Sequence, residues 1–208
     1  PVIQTTTGLE YEITTRIKKL VEVNKPIVGI AQLAGQDGQS QNIQNVLRER
    51  YNVRSVSLSD AVPSDISVIL MSGIADSLTL NENANLKEYL NRGGNLFLAQ
   101  NRVKTNLQLQ QAVVIQSDIF SIIEPFGLQI NENLVTDKIC GRVSVQQQMG
   151  PIRMNVPMEY PLLPIVRKFN TDEAIVAGLE QIQLVFASEI QPDTTEDDQV
   201  YFVTLLFT

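Results

Sequence analysis

Histidine is absent from this 208-residue chain, and cysteine occurs once, at Cys140. Without histidine, the chain lacks the usual general base near neutral pH and the commonest protein metal ligand. Serine–histidine–aspartate and cysteine–histidine catalysis are therefore excluded within the chain. A single cysteine also excludes an intrachain disulfide and a thiolate metal cluster. We expect no metal site and no cofactor, and we interpret Cys140 as a buried structural thiol.

Positive charge is scarce as well. The chain has 16 Lys and Arg residues against 23 Asp and Glu, for a formal net charge of -7. Neutralising the phosphates of a nucleic acid would be unfavourable over most of such a surface. The densest basic group, Arg48, Arg50 and Arg54, surrounds the end of a predicted helix, where cations stabilise the helix dipole. The sequence therefore predicts no nucleic-acid partner.

Long apolar runs are also missing. No window approaches the roughly 20 apolar residues of a membrane span, and no signal-peptide pattern is present. The chain begins at Pro1 without an initiator Met and stops at Thr208 inside an apolar run. We expect it to be a fragment of a longer, membrane-anchored protein whose anchor lies outside these residues.

What is present is an alternation of helix-like and strand-like segments. Apolar residues at three- and four-residue spacing predict helices, and short apolar or alternating runs predict strands. The predicted elements are a helix over 8–24, a strand over 26–33, a helix from Ser40 to about Asn52, strands over 53–58 and 66–71, a helix from Thr79 or Asn81 to Arg92, and a strand over 95–99. This order with short connections predicts an α/β fold of three layers around a largely parallel sheet.

After Gln100 the pattern changes. Residues 101–111 are polar and amide-rich, which favours a surface excursion, and a short helix over 118–126 is expected to end near Gly127. Alternating apolar residues on both sides of Met149-Gly-Pro predict a β-hairpin appended to the sheet. The last strands are expected over 182–187 and 200–207. No repeat or linker divides the chain, so we predict a single domain over 1–208.

Gly93 and Gly94 stand between the third predicted helix and the strand that follows it. The pair could form a ligand loop or a turn between two elements. Gly93 is expected to end the helix in the left-handed conformation, and Gly94 to let the chain reverse without steric cost. Because the pair precedes a strand, it lies at the sheet edge opposite the one where ligands collect, and we favour the turn.

Several short segments also resemble one protein family in their order and spacing. They are Leu9-Glu-Tyr-Glu-Ile-Thr with Ile17-Lys-Lys-Leu20, Lys25-Pro-Ile-Val-Gly-Ile30, Leu47 with Tyr51-Asn-Val53, Asp65-Ile-Ser-Val-Ile-Leu70, Leu86-Lys-Glu-Tyr-Leu-Asn-Arg-Gly-Gly-Asn-Leu-Phe-Leu98, and Val185-Phe-Ala-Ser-Glu-Ile190. Over residues 9–190 the chain resembles the ABC-transporter auxiliary domain of GldG-like gliding-motility proteins, a family related to intraflagellar-transport-type and class I glutamine-amidotransferase-like domains.

The resemblance implies a flavodoxin-like, class I glutamine-amidotransferase-like sheet. It also implies a membrane-anchored substrate-binding component that works beside ABC transporter permease and ATPase subunits, at the extracytoplasmic (periplasmic) face of the cell membrane. The chain departs from the family in the loop after the first strand. That loop commonly carries a Gly-His-Gly-Glu-like stretch, whereas here it is Ala34-Gly-Gln-Asp-Gly-Gln39.

The same loop is the first candidate ligand site. It lies between a strand and a helix, where backbone N–H groups could hold an anion, but it lacks the Lys and the spacing of a phosphate-binding loop. A plain turn with a helix cap explains it as well, and we favour that reading. Neighbouring strands end in polar, uncharged residues at the same edge of the sheet. The candidate ligand-binding residues are Gly35, Gln36, Asp37, Gly38, Ser40, Ser72, Gly73, Gln100 and Asn101.

A catalytic site is not expected. Ser72 follows a strand as a nucleophile does in hydrolases of related topology, but Gly is missing two residues before it. The acidic run Asp193–Asp198 lacks the ligand spacing of a calcium loop and is expected to be solvated. We therefore predict a non-catalytic auxiliary domain that binds a transporter subunit or a small solute such as a sugar or peptide. The alternatives are a degenerate amidotransferase-like hydrolase and a structural protein-interaction module.

Overall fold

A computed structural model describes residues 13–14, 16–17, 25–33, 40–106, 111–149, 152–192 and 202–207. The chain divides into two compact units. The first comprises Pro1–Gln100 and Gln116–Ile122, and the second Asn101–Ile115 and Ile123–Thr208. The single domain predicted over residues 1–208 stays a prediction.

The first unit contains a parallel sheet. Its strands are β1 (Ile27–Gln32), β2 (Asn52–Ser57), β3 (Ile66–Ser72) and β4 (Asn95–Ala99), in the order β2-β1-β3-β4. The helices are α1 (Ser40–Arg48), α2 (Leu80–Asn91) and α3 (Ile119–Ile123), the last of which ends at the first residue of the second unit. The chain goes to one side of β1 to form β2, and then to the other side for β3 and β4. The mixed α/β class and the parallel sheet are confirmed.

Most of the described hydrophobic core belongs to this first unit. The central strands β1 and β3 carry the apolar runs that predicted them, and Ala31, Ile69 and Met71 are completely buried. A strand whose two faces are both covered needs apolar residues on both faces, so its sequence is a nearly continuous apolar run. Leu86 of α2 and Ile119 of α3 are also completely buried.

The predicted helix over 8–24 falls mostly outside the described residues. Ile13, Thr14, Arg16 and Ile17 are helical, as expected. Ile13 and Ile17 nevertheless remain 47% and 56% exposed.

The start of α2 is set by its own sequence. Thr79 is the N-cap: its hydroxyl accepts a hydrogen bond from the Glu82 N–H at 3.3 Å, and the Glu82 carboxylate accepts one from the Thr79 N–H at 2.8 Å. This reciprocal capping box satisfies two backbone donors that the first helical turn cannot satisfy itself. Of the two predicted starting points, Thr79 is confirmed.

At the other end of α2, Gly93 and Gly94 serve different needs. Gly93 has φ +85°, where a side chain is strained even with open space around it. Gly94 is needed for another reason, because a Cβ there would lie less than 3.0 Å from the Tyr89 ring. The Tyr89 hydroxyl donates to the Asn95 carbonyl and accepts from the Asn95 N–H, both at 3.1 Å. The pair is thus a helix end and a turn against a buried ring, which confirms that interpretation.

Because the phenol of Tyr89 is buried, we predict that the protein loses folding stability at high pH. Burial raises the pKa of Tyr89 above its ordinary value of 10.0, against smaller opposing effects of the Asn95 hydrogen bond and Arg92. Because the folded-state pKa is the higher one, the stabilisation is complete below pH 10.0 and is lost as the pH rises through the folded-state pKa. Urea unfolding between pH 8 and about 11 should show this loss. Tyr89→Phe removes the ionisable group and should flatten that part of the profile; an unchanged slope would contradict the assignment.

The second unit is built from short antiparallel sheets. Its strands are β5 (Val103–Asn106), β6 (Gln111–Val114), β7 (Leu128–Ile130), β8 (Cys140–Met149), β9 (Ile152–Val166), β10 (Lys168–Phe169), β11 (Ile182–Gln183), β12 (Ile190–Pro192) and β13 (Leu206–Phe207), and a 3-10 turn spans Glu124–Phe126. The pairings are β5 with β6, β7 with β12, β10 with β13, and β8 with β9 and β9 with β11. The helix end predicted near Gly127 is confirmed, since Gly127 has φ +70° and caps the turn.

Two details of the second unit differ from the sequence prediction. The polar stretch 101–111 is expected from its composition to be irregular, but it contains β5 and the first residue of β6, because cross-strand pairing overrides its low apolar content. The strand predicted over 182–187 ends at Gln183, and Phe186 takes a positive φ of 51° that a strand does not allow. Residues 200–201 lie outside the described residues.

The predicted hairpin is confirmed and is longer than expected. It pairs β8 with β9, and β9 continues through the proline-containing segment as far as Val166. Among the described residues, these strands form a sheet with β11 rather than extending the parallel sheet. Cys140, at the start of β8, is partly rather than fully buried.

Candidate binding edge of the parallel sheet

The carboxyl ends of the parallel strands define the candidate site. The strand order reverses between β1 and β3, and ligands of open α/β sheets bind at such a point, beyond the strand ends. In the ladder, Ser72 at the end of β3 lies beside Ala99 at the end of β4. Ser72, Gly73 and Gln100 are therefore brought together at one edge, as predicted.

The Gln100 side chain holds the loop that follows β3. Its Oε1 accepts a hydrogen bond from the Ile74 N–H at 2.8 Å, and its Nε2 donates to the Ile74 carbonyl at 2.8 Å. Ile74 itself is 1% exposed. Both ends of the amide thus satisfy backbone groups that the sheet ladder no longer reaches. Gln100 therefore fixes the position of this loop at the binding edge.

Two residues that were not among the candidates fix the far end of this loop. The Asp118 carboxylate accepts from the Leu78 N–H at 2.8 Å and from the Asn83 amide at 2.6 Å. The Ser117 hydroxyl donates to the Asp76 carbonyl at 2.9 Å. No local pattern could have pointed to these bonds, because their partners lie 35 to 41 residues apart. The loop between β3 and α2 is therefore pre-organised from both ends.

The remaining candidate residues are distributed differently. Gly35, Gln36, Asp37 and Gly38 lie outside the described residues, and Ser40 is the first residue of α1. Asn101 belongs to the second unit, where its amide donates to the Val185 carbonyl at 3.4 Å. A binding role for these residues stays a prediction.

The strand ends at this edge carry uncharged polar residues. Ser72 carries a hydroxyl at the end of β3, and Gly73, with φ +63°, is exposed. Within the described ranges, no group of three or more His, Cys, Asp or Glu residues could hold a metal ion. Such an edge can recognise a polar surface or solute through hydrogen bonds.

One carboxylate in the second unit has a perturbed pKa. Hydrogen bonds from the amides of Asn131 and Asn133, both at 2.9 Å, lower the pKa of Glu189. The Glu189 N–H in turn donates to the Asn133 side chain at 3.1 Å. This network joins the neighbouring segments around β7 and β12, so its role is structural.

Comparison with known proteins agrees with this architecture. The solved structure of the mmIFT52 N-terminal domain is similar to this chain, with a TM-score of 0.55 and 15% sequence identity. The match covers 86% of this chain and 71% of that structure, and at this identity it shows the fold alone. In the part of the chain that the structure describes, no helix is both long and apolar enough to cross a membrane.

Sequence comparisons identify a relative and a family. An uncharacterized protein of Borreliella burgdorferi is 22% identical over 152 residues, which is 66% of this chain and 29% of that protein. The chain therefore spans less than a third of the length of this curated relative. The family model for an ABC-type uncharacterized transport system matches residues 23–208, nearly the whole chain. The chain belongs to this ABC-transporter auxiliary family.

Proposed function

We propose that this chain is a non-catalytic, extracytoplasmic domain of a membrane-anchored GldG-like component, and that it binds a subunit of an ABC transporter. The observation that carries the proposal is the family match over residues 23–208. The strand-end residues of the binding edge support it, because Ser72, Gly73 and Gln100 include no acid–base pair.

A partner subunit fits this edge better than a buried small solute. A solute site depends on convergent polar side chains, each free to reach the ligand. The Gln100 amide is instead committed at both ends to Ile74, and the loop after β3 is held by Asp118. A rigid loop with an exposed outer surface loses little conformational entropy when a protein docks on it.

In-cell photo-crosslinking tests the proposal. A photoreactive amino acid replaces Ser77, which is exposed in the loop after β3, in the full-length protein expressed in its native host. The matched control is the same replacement at Lys87, which is exposed near the middle of α2. We expect the Ser77 position to give adducts with a permease subunit, and the Lys87 position to give none.

The other outcomes overturn the proposal. Equal adducts from both positions, or none with any transporter subunit, would remove the binding edge from consideration. Hydrolase or amidotransferase turnover that is lost on Ser72→Ala would replace the proposal with the enzyme alternative. Labelling of Lys87→Cys, which is exposed and away from the proposed contact, in a Cys140→Ser background by a membrane-impermeant maleimide on intact cells tests the extracytoplasmic assignment. Protection of this position from the reagent would contradict it.

A further inference from the structure

Leu80, the first residue of α2, is the most exposed large hydrophobic residue in the described part of the chain, at 91%. Leu78, two positions before it, is 9% exposed and belongs to the core. The Leu80 side chain therefore lies almost entirely in water and gains none of the free energy that burial of a leucine provides. Single exposed leucines are common on protein surfaces, so the surroundings of Leu80 decide what its exposure means.

The backbone on both sides of Leu80 is held in place. Before it, the Leu78 N–H donates to the Asp118 carboxylate at 2.8 Å, and Thr79 is the N-cap of α2. After it, the Asn83 amide donates to the same carboxylate at 2.6 Å. Leu80 is thus carried on a rigid turn, and a partner that covers it does not have to order that turn first.

Leu80 also continues the loop that we assign to the transporter contact. That loop follows β3, and Asp76, Ser77 and Thr79 in it are exposed. Protein–protein contacts commonly have an apolar centre and a polar rim. At this edge, Leu80 supplies an apolar centre and the exposed loop residues supply a polar rim.

The chain segments that form this surface carry charge of one sign. Residues 72–86 contain Asp76 and Glu82 but neither Lys nor Arg. The Asp118 carboxylate, which is bonded to the same loop, adds a third negative charge. The nearest cation along the chain is Lys87, about two helical turns after Leu80. The electrostatic potential of these segments therefore favours a partner that brings positive charge.

We infer that the binding edge recognises a basic segment of the permease subunit, in which Lys or Arg side chains flank an apolar residue that packs on Leu80. This inference rests on the transporter contact proposed above and specifies the chemistry of the partner. A cation of the segment pairs with the exposed Asp76, and its apolar side chain removes Leu80 from water. An acidic segment would meet like charge, and an uncharged one would desolvate the carboxylates without a counter-charge.

In-cell photo-crosslinking from position 77 of the full-length protein tests the apolar and the charged part separately. Leu80→Ser should lower the yield of the permease adduct at least about fivefold, because central apolar residues dominate binding energy. Asp76→Lys should lower the yield at least about threefold, because it places a cation against the basic segment. Both residues are exposed, so circular dichroism of the purified variants should show the parent fold.

Two matched controls separate these effects from general changes of the surface. Val46→Ser removes an apolar side chain that is 68% exposed on α1. Glu88→Lys makes the same change of charge as Asp76→Lys at an exposed position in the second half of α2. Both controls should give the parent yield of adduct.

Mass spectrometry of the crosslinked permease peptide identifies the partner's chemistry directly. We expect Lys or Arg on both sides of an apolar residue. An adduct on an acidic or uncharged segment, or yields that Leu80→Ser and Asp76→Lys change no more than their controls do, would overturn this inference and leave the transporter contact standing. If the parent gives no permease adduct, the contact and this inference both fall.

Discussion

Replacing Gln100 with alanine is expected to lower the free energy of unfolding by about 2–4 kcal/mol, since each buried backbone group that loses its partner costs roughly 1–3 kcal/mol. The change leaves the Ile74 N–H and carbonyl without the amide that pairs with both at 2.8 Å. Urea unfolding measures the loss. Asn42→Ala, which truncates an exposed amide on α1, is the control with an expected effect below about 0.5 kcal/mol.

Gln100→Glu separates the two hydrogen bonds. A carboxylate can still accept from the Ile74 N–H, but it opposes the Ile74 carbonyl, so the pKa of the introduced carboxyl group should rise above its unfolded-state value. With the folded-state pKa raised, stability is complete below the unfolded-state pKa and falls as the pH rises through the folded-state pKa. Gln100→Glu should therefore gain stability on acidification relative to Gln100→Ala. A parallel pH profile for the two variants would show that the side chain does not hold Ile74.

The second large effect is expected from Gly94→Ala, which should cost about 2–3 kcal/mol because it overpacks a filled site. The added Cβ lies less than 3.0 Å from the Tyr89 ring, and the ring is buried and bound to Asn95, so it cannot move aside cheaply. Gly93→Ala is the matched control. Its Cβ meets nothing within 4 Å, so only the cost of the positive φ, about 1 kcal/mol, is expected.

A double-mutant cycle identifies the cause of the Gly94→Ala loss. Leucine at position 89 lacks the ring atoms that the new Cβ approaches. The cost of Gly94→Ala, measured by urea unfolding in a Tyr89→Leu background, should therefore fall below about 1 kcal/mol. If both backgrounds lose the same free energy, the backbone of the turn rather than the ring requires glycine at position 94.

Local chemistry made much of the first unit predictable. The apolar runs of β1 and β3 indicate buried strands because both faces of a central strand are covered. The capping box of Thr79 and Glu82 lies within one helical turn, and the helix end at Gly93 needs only one left-handed residue. These features depend on neighbours along the chain, and the alternation of helices and strands followed from them.

The second unit was less predictable because its strands are polar and short. β5 contains only one fully buried apolar residue, Val103, so alternation is weak and pairing with β6 determines the strand. The end of β11 at Gln183 is likewise set by where its pairing with β9 stops. Strand propensity depends on the surroundings, and those come from distant parts of the chain.

For the candidate site, the sequence by itself determined where Ser72, Gly73 and Gln100 lie, because residues that follow parallel strands share one edge. Only the tertiary structure decided what Gln100 does. Its partner Ile74 is 26 residues away. The residues next to Gln100 in the sequence do not distinguish an amide that binds a ligand from an amide that bonds to the backbone of its own chain. The absence of histidine and the order of the helices and strands could be determined from the sequence alone. The hydrogen bonds of Gln100 to Ile74 and the contact of Gly94 with Tyr89 required the folded chain, since each depends on groups that meet only in space.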